Sequence, residues 1–466
     1  MLLASLLLVP FLAEAAPISS IADPIGFPDY ASHEHLFPYM GGSGPHFSYP
    51  LSYGIPKEVP EQCTMKQIQL MARHGERYPT LKTGTKIMDV YKKISKFSSK
   101  LNGSLSFIDE DYEFFIQDTN NYEELTTFEN SLDPINPYTG MQDAQTHAKE
   151  FLYQYGDMLE NSTSFPIFTS NSKRVHDTAN YFAKSLGDKY NVSLQIIDED
   201  ESSGANTLTT AESCSTYNKT ANAGITGQYS EDYLKTIAKR LNAENKGLNL
   251  TSSDATYLFG WCAFETNVKG YSDMCDVFTP EEFAYYAYED DLTNYYAYGP
   301  GYDLAKVVGS VNFNASVELL KQSEDLDLKV WLSFTHDNNI VAYLASVGLF
   351  DDNQPLPVDH VPIRNHIYHK SWMVPQGARV YTQLYECSNS TYVRYVVNDV
   401  VIPIEKCSDG PGMSCEFSKF LEYAEDRLDG MNYVDSCDIT STSNQTSLTF
   451  YWDYESKNYN ASLIQS

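Results

Sequence analysis

The chain has 466 residues, enough to bury one large core or two smaller ones. Its 62 acidic against 32 basic residues give a formal charge of −30 and a pI near 4.6. Such a surface repels nucleic acid and anionic lipid at neutral pH, so a site for an anionic ligand has to be a local positive island.

Residues 1–15 read as an export signal. An apolar run from Leu2 to Leu12 precedes the small-x-small pattern Ala13-Glu14-Ala15, although no Lys or Arg stands before the run. The run is too short to span a bilayer, and no later stretch is long and apolar enough. The last residues, Asn460 to Ser466, lack the hydrophobic tail of a lipid-anchor signal. We therefore expect a secreted protein of the extracellular or cell-wall (periplasmic) space, with no membrane anchor. Nine Asn-x-Ser/Thr sequons, at Asn102, Asn161, Asn191, Asn218, Asn249, Asn314, Asn389, Asn444 and Asn460, predict a glycosylated surface. Eight cysteines, none in a C-x-x-C motif, predict four disulfides. Eight cysteines allow 105 pairings. Short loops favour Cys262–Cys275 and Cys407–Cys415 and leave Cys63, Cys214, Cys387 and Cys437 for long-range links.

Residues 17–60 are rich in Pro, Gly and Tyr and read as an extended arm over the surface, with His33 and His35 as surface residues. A strand follows in which Ile68, Leu70 and Ala72 alternate with Gln67, Gln69 and Met71. It runs into Arg73-His74-Gly75-Glu76-Arg77-Tyr78-Pro79. Guanidinium forks suit phosphate oxygens, a neutral imidazole is a nucleophile, and Gly75 allows a sharp turn and a close-approaching ligand. Helices are predicted over Thr85–Phe97 and Met141–Leu159. The pattern then recurs: an apolar strand Phe165–Thr169, a Ser170-Asn171-Ser172 cap signal, and Lys173-Arg174 opening a helix. A cation at a helix start is unfavourable by itself, which makes sense if Arg174 reaches an anion.

Residues 198–260 are polar and predict loops with one helix, Tyr229–Leu241. Helices follow over Phe278–Tyr298 and Asp303–Leu320. The third copy is the run Lys329–Thr335, ending in His336-Asp337, with a helix from Ile340 to Val347. Strands Arg379–Cys387 and Tyr392–Pro403 read as a hairpin. A helix near Glu416–Leu428 and a strand near Leu448–Trp452 complete the chain. Strands that end in polar groups before a helix fit an α/β fold: a sheet core with flanking helices plus a smaller, mostly helical domain formed by insertions. The core maps mainly to 60–85, 160–200 and 320–466, the insertions to 86–159 and 201–319, and residues 16–466 form one catalytic unit. Ligands in such sheets bind beyond the carboxyl ends of the strands. That brings Arg73, His74, Arg77, Arg174, His336 and Asp337 together.

Hydrolysis of a phosphate monoester needs neutralised phosphoryl oxygens, an in-line nucleophile and a proton for the leaving alcohol. Arg73, Arg77, Arg174 and His336 suit the first task, His74 the second and Asp337 the third. His176-Asp177 is a second His-Asp pair, but it falls inside a helix, and Asp337 is the preferred donor.

These three separated motifs resemble the histidine acid phosphatases, over nearly the whole chain, and in particular the secreted, glycosylated acid phosphatases of yeasts, with fungal phytases as near relatives. The resemblance implies His74 as nucleophile, Asp337 as proton donor and Arg73, Arg77, Arg174 and His336 as phosphate ligands. It also implies pairs Cys63–Cys387, Cys214–Cys437, Cys262–Cys275 and Cys407–Cys415, an α/β domain beside a helical one, and no metal or other cofactor. The expected activity is hydrolysis of small-molecule phosphate monoesters for extracellular phosphate scavenging; a homo-oligomer is compatible with the sequence. A 3-phytase acting on inositol hexakisphosphate is the first rival, disfavoured because Glu265–Asp303 carries only Lys269 as a cation. A non-catalytic cell-surface glycoprotein is the second, disfavoured by the intact six-residue set. A metabolic phosphohistidine mutase is disfavoured by the signal, sequons and cysteines.

Overall fold

The computed structural model describes residues 30–160, 163–352, 354–362 and 366–465. The signal segment 1–15 and the sequon at Asn161 lie outside the described residues; the other eight sequon asparagines are exposed.

A central eight-stranded sheet organises the chain. Its strands are β1 (Cys63–Arg73), β2 (Ser164–Ser170), β3 (Asn191–Ile197), β4 (Val330–Thr335), β5 (Arg379–Cys387), β6 (Ser390–Val397), β7 (Val400–Ile402) and the short β8 (Cys415–Glu416). The order is β3-β2-β4-β1-β5-β6-β7, with β8 on β6. The first four run parallel, and β5 to β7 continue antiparallel. Parallel strands covered on both faces need apolar residues throughout; β4 is buried at all six positions and β2 at all but the first. Helices 140–155 and 173–185 cover one face, where Phe151, Phe182 and Val175 meet Ile68, Ile167 and Leu332. A separate cluster of Ile87, Leu241, Phe259, Trp261 and Phe283 unites helices 81–95, 232–244, 252–269 and 280–297.

Four disulfides join Cys63–Cys387, Cys214–Cys437, Cys262–Cys275 and Cys407–Cys415. Cys63 and Cys387 are register partners at one end of the β1–β5 ladder. Among the described residues no helix is long and apolar enough to cross a membrane.

Five expectations need correction. The described part of the arm is not extended throughout: 3-10 turns span Tyr30–Tyr39 and Gly41–Ser43, and His33 is buried against Asp276 at 3.2 Å. The polar stretch before residue 260 hides a second helix, Ser252–Lys269, which starts with a Thr251/Asp254 capping box. The second hairpin strand breaks at Asn398-Asp399, both at positive φ, into β6 and β7. Leu448–Trp452 is not a strand: a helical turn from Phe450 to Asp453 seats Phe450 and Tyr451 on Phe168. Gly75 has no left-handed φ; its missing Cβ makes room for the backbone of Gly140, which would lie 2.8 Å away.

Candidate active site

Because β1, β2 and β4 are adjacent and parallel, their carboxyl ends deliver their next residues to one edge. Arg73 ends β1 opposite Thr335, the last residue of β4, so His74 and His336 follow side by side. Their rings are edge-to-face, centroids 5.8 Å apart. The His74 backbone is clamped: its N–H donates to the Thr335 carbonyl (3.2 Å), and its carbonyl accepts from Gly377 N (2.8 Å). Thr178, in the helix that Lys173 opens, ties the motifs together. Its Oγ1 accepts from Gly75 N (3.0 Å) and donates to the Arg174 carbonyl (2.8 Å).

His74 Nδ1 lies 2.9 Å from the Gly75 carbonyl. A carbonyl only accepts, so Nδ1 carries the proton and Nε2 keeps its lone pair. Burial, then Arg73, Arg174, Arg77 and His336, hold the His74 pKa well below the usual imidazole value. The ring is therefore neutral, and nucleophilic, even in mildly acid medium.

Three guanidiniums surround this ring. Arg73 is almost fully buried; its Nη1 donates to the carbonyls of Gly42 and Val374, both at 2.7 Å. Its Nη2 stands 3.2 Å from Asp337 Oδ2. Arg77 lies over the Phe264 ring at 5.6 Å, and Gln376 Oε1 accepts its backbone N–H at 2.8 Å. Burial, Arg174 and Arg73 push the Arg77 pKa down to about 9. Arg174 Nη1 faces Glu123 Oε2 at 3.5 Å. The buried Nε atoms of Arg73 and Arg77 find no acceptor among the described residues. Buried charged donors without partners are costly, and a tetrahedral anion between them would meet that need.

Asp337 opens the helix that follows β4. Burial raises its pKa, but Arg73, Lys370, His336 and Arg77 outweigh burial and hold it at about 2. The rival pair sits elsewhere in the hydrogen-bond network: Asp177 is engaged by Lys173 at 2.7 Å and by His176 at 3.1 Å.

The sequence reading missed several supports. Glu199, just beyond β3, accepts from His336 Nε2 at 2.6 Å; against the upward push of burial, His336 and Arg174 keep the carboxyl ionised. Lys370 lies beside Asp337, with its Nζ on Asp290 Oδ1 at 3.0 Å. Asp290 Oδ2 also accepts from Gly42 N at 3.0 Å, which seats the arm against Arg73. Only the run Asp198-Glu199-Asp200-Glu201 carried a signal, an acidic cluster after an unrecognised strand. Lys269, the lone cation of the 265–303 stretch, is buried on Glu265 at 2.9 Å and over the Tyr112 ring at 4.4 Å.

The Histidine phosphatase superfamily (branch 2) family model matches residues 64–398. A repressible acid phosphatase of Saccharomyces cerevisiae is 54% identical over 453 residues, covering 97% of this chain and 96% of its own. A phytase of Candida albicans is 41% identical over 451 residues, covering 95% and 96%. Among solved structures, the phytase from D. castellii superposes with a TM-score of 0.89 at 43% identity, covering 92% of this chain and 93% of that one. The chain belongs to branch 2 of the histidine phosphatase superfamily.

Proposed function

We propose that the protein is a secreted acid phosphatase that hydrolyses small phosphate monoesters through a phosphohistidine, with roles assigned as the motifs predict. The observation that carries this reading is the neutral, buried His74, Nε2 lone pair available, ringed by Arg73, Arg77 and Arg174 with Asp337 alongside. The phosphoryl group sits among the guanidiniums and His336. Nε2 of His74 attacks phosphorus in line; the P–O ester bond breaks, and the leaving oxygen takes a proton from the Asp337 carboxyl. Water then attacks the phosphohistidine and gives a proton to the Asp337 carboxylate. The P–N bond breaks, and inorganic phosphate leaves with His74 restored.

Asp337 must be protonated for the first step, which favours acid medium, and His74 tolerates that medium because it stays unprotonated well into acid. Eight exposed sequons, four disulfides and the N-terminal apolar run support export, glycosylation and phosphate scavenging outside the cell. The division into a sheet core and helical insertions belongs to the same reading. A phytase is the alternative, because relatives named phytases stand at 41% and 43% identity. Burial of Lys269 removes the cation expected at the mouth for a multiply phosphorylated ring. The test is rapid quench with a labelled aryl phosphate at acid pH, alongside steady-state turnover of phytate. Label should appear on His74 and be absent from His74→Ala. Full activity in His74→Ala refutes the mechanism, and strong preference for phytate refutes the substrate assignment.

A further inference from the structure

The geometry points to a second ligand site next to the segment that carries Lys370: a divalent transition-metal site of the zinc type, formed by Asp291, His366 and His369. Asp291 belongs to helix Pro280–Ala297, and the histidines lie three apart on the segment that leads to Lys370. Asp291 Oδ2 stands 3.3 Å from His366 Nε2 and 3.2 Å from His369 Nδ1. All three ligand atoms lie within 4.8 Å of one another. Zinc holds nitrogen and oxygen ligands at about 2.0–2.1 Å, which separates the ligands of a tetrahedron by about 3.3–3.4 Å. Two of the three edges are already at that spacing, and the third is no longer than 4.8 Å.

The side chains are also prepared for an ion. His366 is 5% exposed, and its Nε2 makes no hydrogen bond among the described residues, although it stands beside a carboxylate. A buried ring nitrogen left unsatisfied is costly unless something absent from the chain satisfies it. Asp291 is 3% exposed, and its other oxygen accepts from Lys370 N at 2.6 Å, the outer contact that orients a ligating carboxylate. His369 stacks on Trp372 with centroids 3.8 Å apart and is 21% exposed, which leaves a solvent side for water as fourth ligand. Two imidazoles and one carboxylate form a set suited to zinc rather than calcium or magnesium.

The ion takes no part in phosphoryl transfer. It would pin the chain entering Lys370, whose Nζ bonds Asp290; Asp290 in turn holds Gly42, and Gly42 holds Arg73. The test uses tag-free, full-length protein stripped by chelator and held at pH 7, because metal and protons compete for the same nitrogens. Zinc is titrated by calorimetry, and cobalt is followed by its visible absorption. One equivalent of zinc, a tetrahedral cobalt spectrum and a raised thermal midpoint are expected. His366→Ala and His369→Ala should each weaken binding by at least about 100-fold, since even outer-shell losses cost 10- to 100-fold. His360→Ala, at an exposed histidine, should leave it unchanged. Wild-type protein that takes up less than about a tenth of an equivalent overturns the site and leaves a plain His–Asp–His ion pair. Binding unaffected by both histidine substitutions, or abolished by His360→Ala, overturns it equally.

Discussion

Exchange of Asp337 for Asn separates proton donation from phosphate binding. In the free protein the carboxyl is held at about 2 by Arg73, Lys370, His336 and Arg77 against the upward push of burial. At pH 5 such a group is protonated in about one molecule per thousand, so loading it costs about 4 kcal/mol. An arriving phosphate shares those cations and lifts that penalty, which makes donation contingent on a bound ester. Asn at 337 keeps the size but cannot donate the proton. General-acid catalysis contributes about 10²- to 10⁴-fold, or about 3–5 kcal/mol. We therefore expect kcat/KM for an alkyl phosphate to fall by about 10²- to 10⁴-fold. For nitrophenyl phosphate, whose leaving group needs little protonation, the fall should be less than about tenfold. The substitution also leaves Arg73 and Lys370 without a shared anion, and breaking a buried pair on one side costs about 3–5 kcal/mol. Thermal midpoints and near-UV circular dichroism, recorded in parallel, separate lost chemistry from lost fold. Equal losses on both esters refute the reasoning, as does a leaving-group-dependent loss in Asp177→Asn.

Glu199→Gln removes the carboxylate that holds His336 at 2.6 Å. A charged hydrogen bond contributes about 1.5–3 kcal/mol, so kcat/KM should fall about 10- to 150-fold, with partial recovery in Glu199→Asp; wild-type kinetics would rule out a positioning role. Gly75→Ala places a methyl 2.8 Å from Gly140 Cα, and overpacking of this kind costs about 1–3 kcal/mol. The urea midpoint should drop and turnover should fall further, because His74 moves with the backbone; an unchanged midpoint contradicts the close packing. His147, hydrogen-bonded to the Tyr381 hydroxyl at 2.6 Å, is kept neutral by burial, Arg379, His46 and Lys57. Its folded pKa lies below the unfolded value, so the unfolded chain binds the extra proton and the stabilising contribution shrinks in acid. The stability gap between wild type and His147→Gln should narrow by about 1.4 kcal/mol per pH unit below about 6.5. A gap constant from pH 7 to 4.5 in urea titrations counts against this.

The catalytic edge was legible because β1, β2 and β4 are buried parallel strands, and such strands read as apolar runs that stop where ionisable residues begin. β3 was not, since Asn191–Ile197 is only partly covered and Ser193 and Gln195 dilute its apolar pattern; Glu199 was lost with it. Helix Ser252–Lys269 is buried nearly all round, so it offered no amphipathic stripe to find. The Asn398-Asp399 break was readable as a turn, but the β-rich residues on both sides masked it. Nothing local marks Lys370, Gly42 or Asp290, because their roles exist only through contacts across the fold. Phe450 and Tyr451 misled in the other direction: aromatic residues favour strands, yet here they fill a socket over Phe168 and Trp331.

The carbonyl that steadies Arg73 from the far side belongs to Val374, 301 residues further along the polypeptide. A ribosome working at 5–20 residues per second needs about 15–60 s to cover that distance. Throughout that interval His74 is already made, while Arg73 lacks one of the two carbonyls that hold its Nη1. The positive island proposed to hold phosphate can therefore be completed only once about four-fifths of the chain has been made.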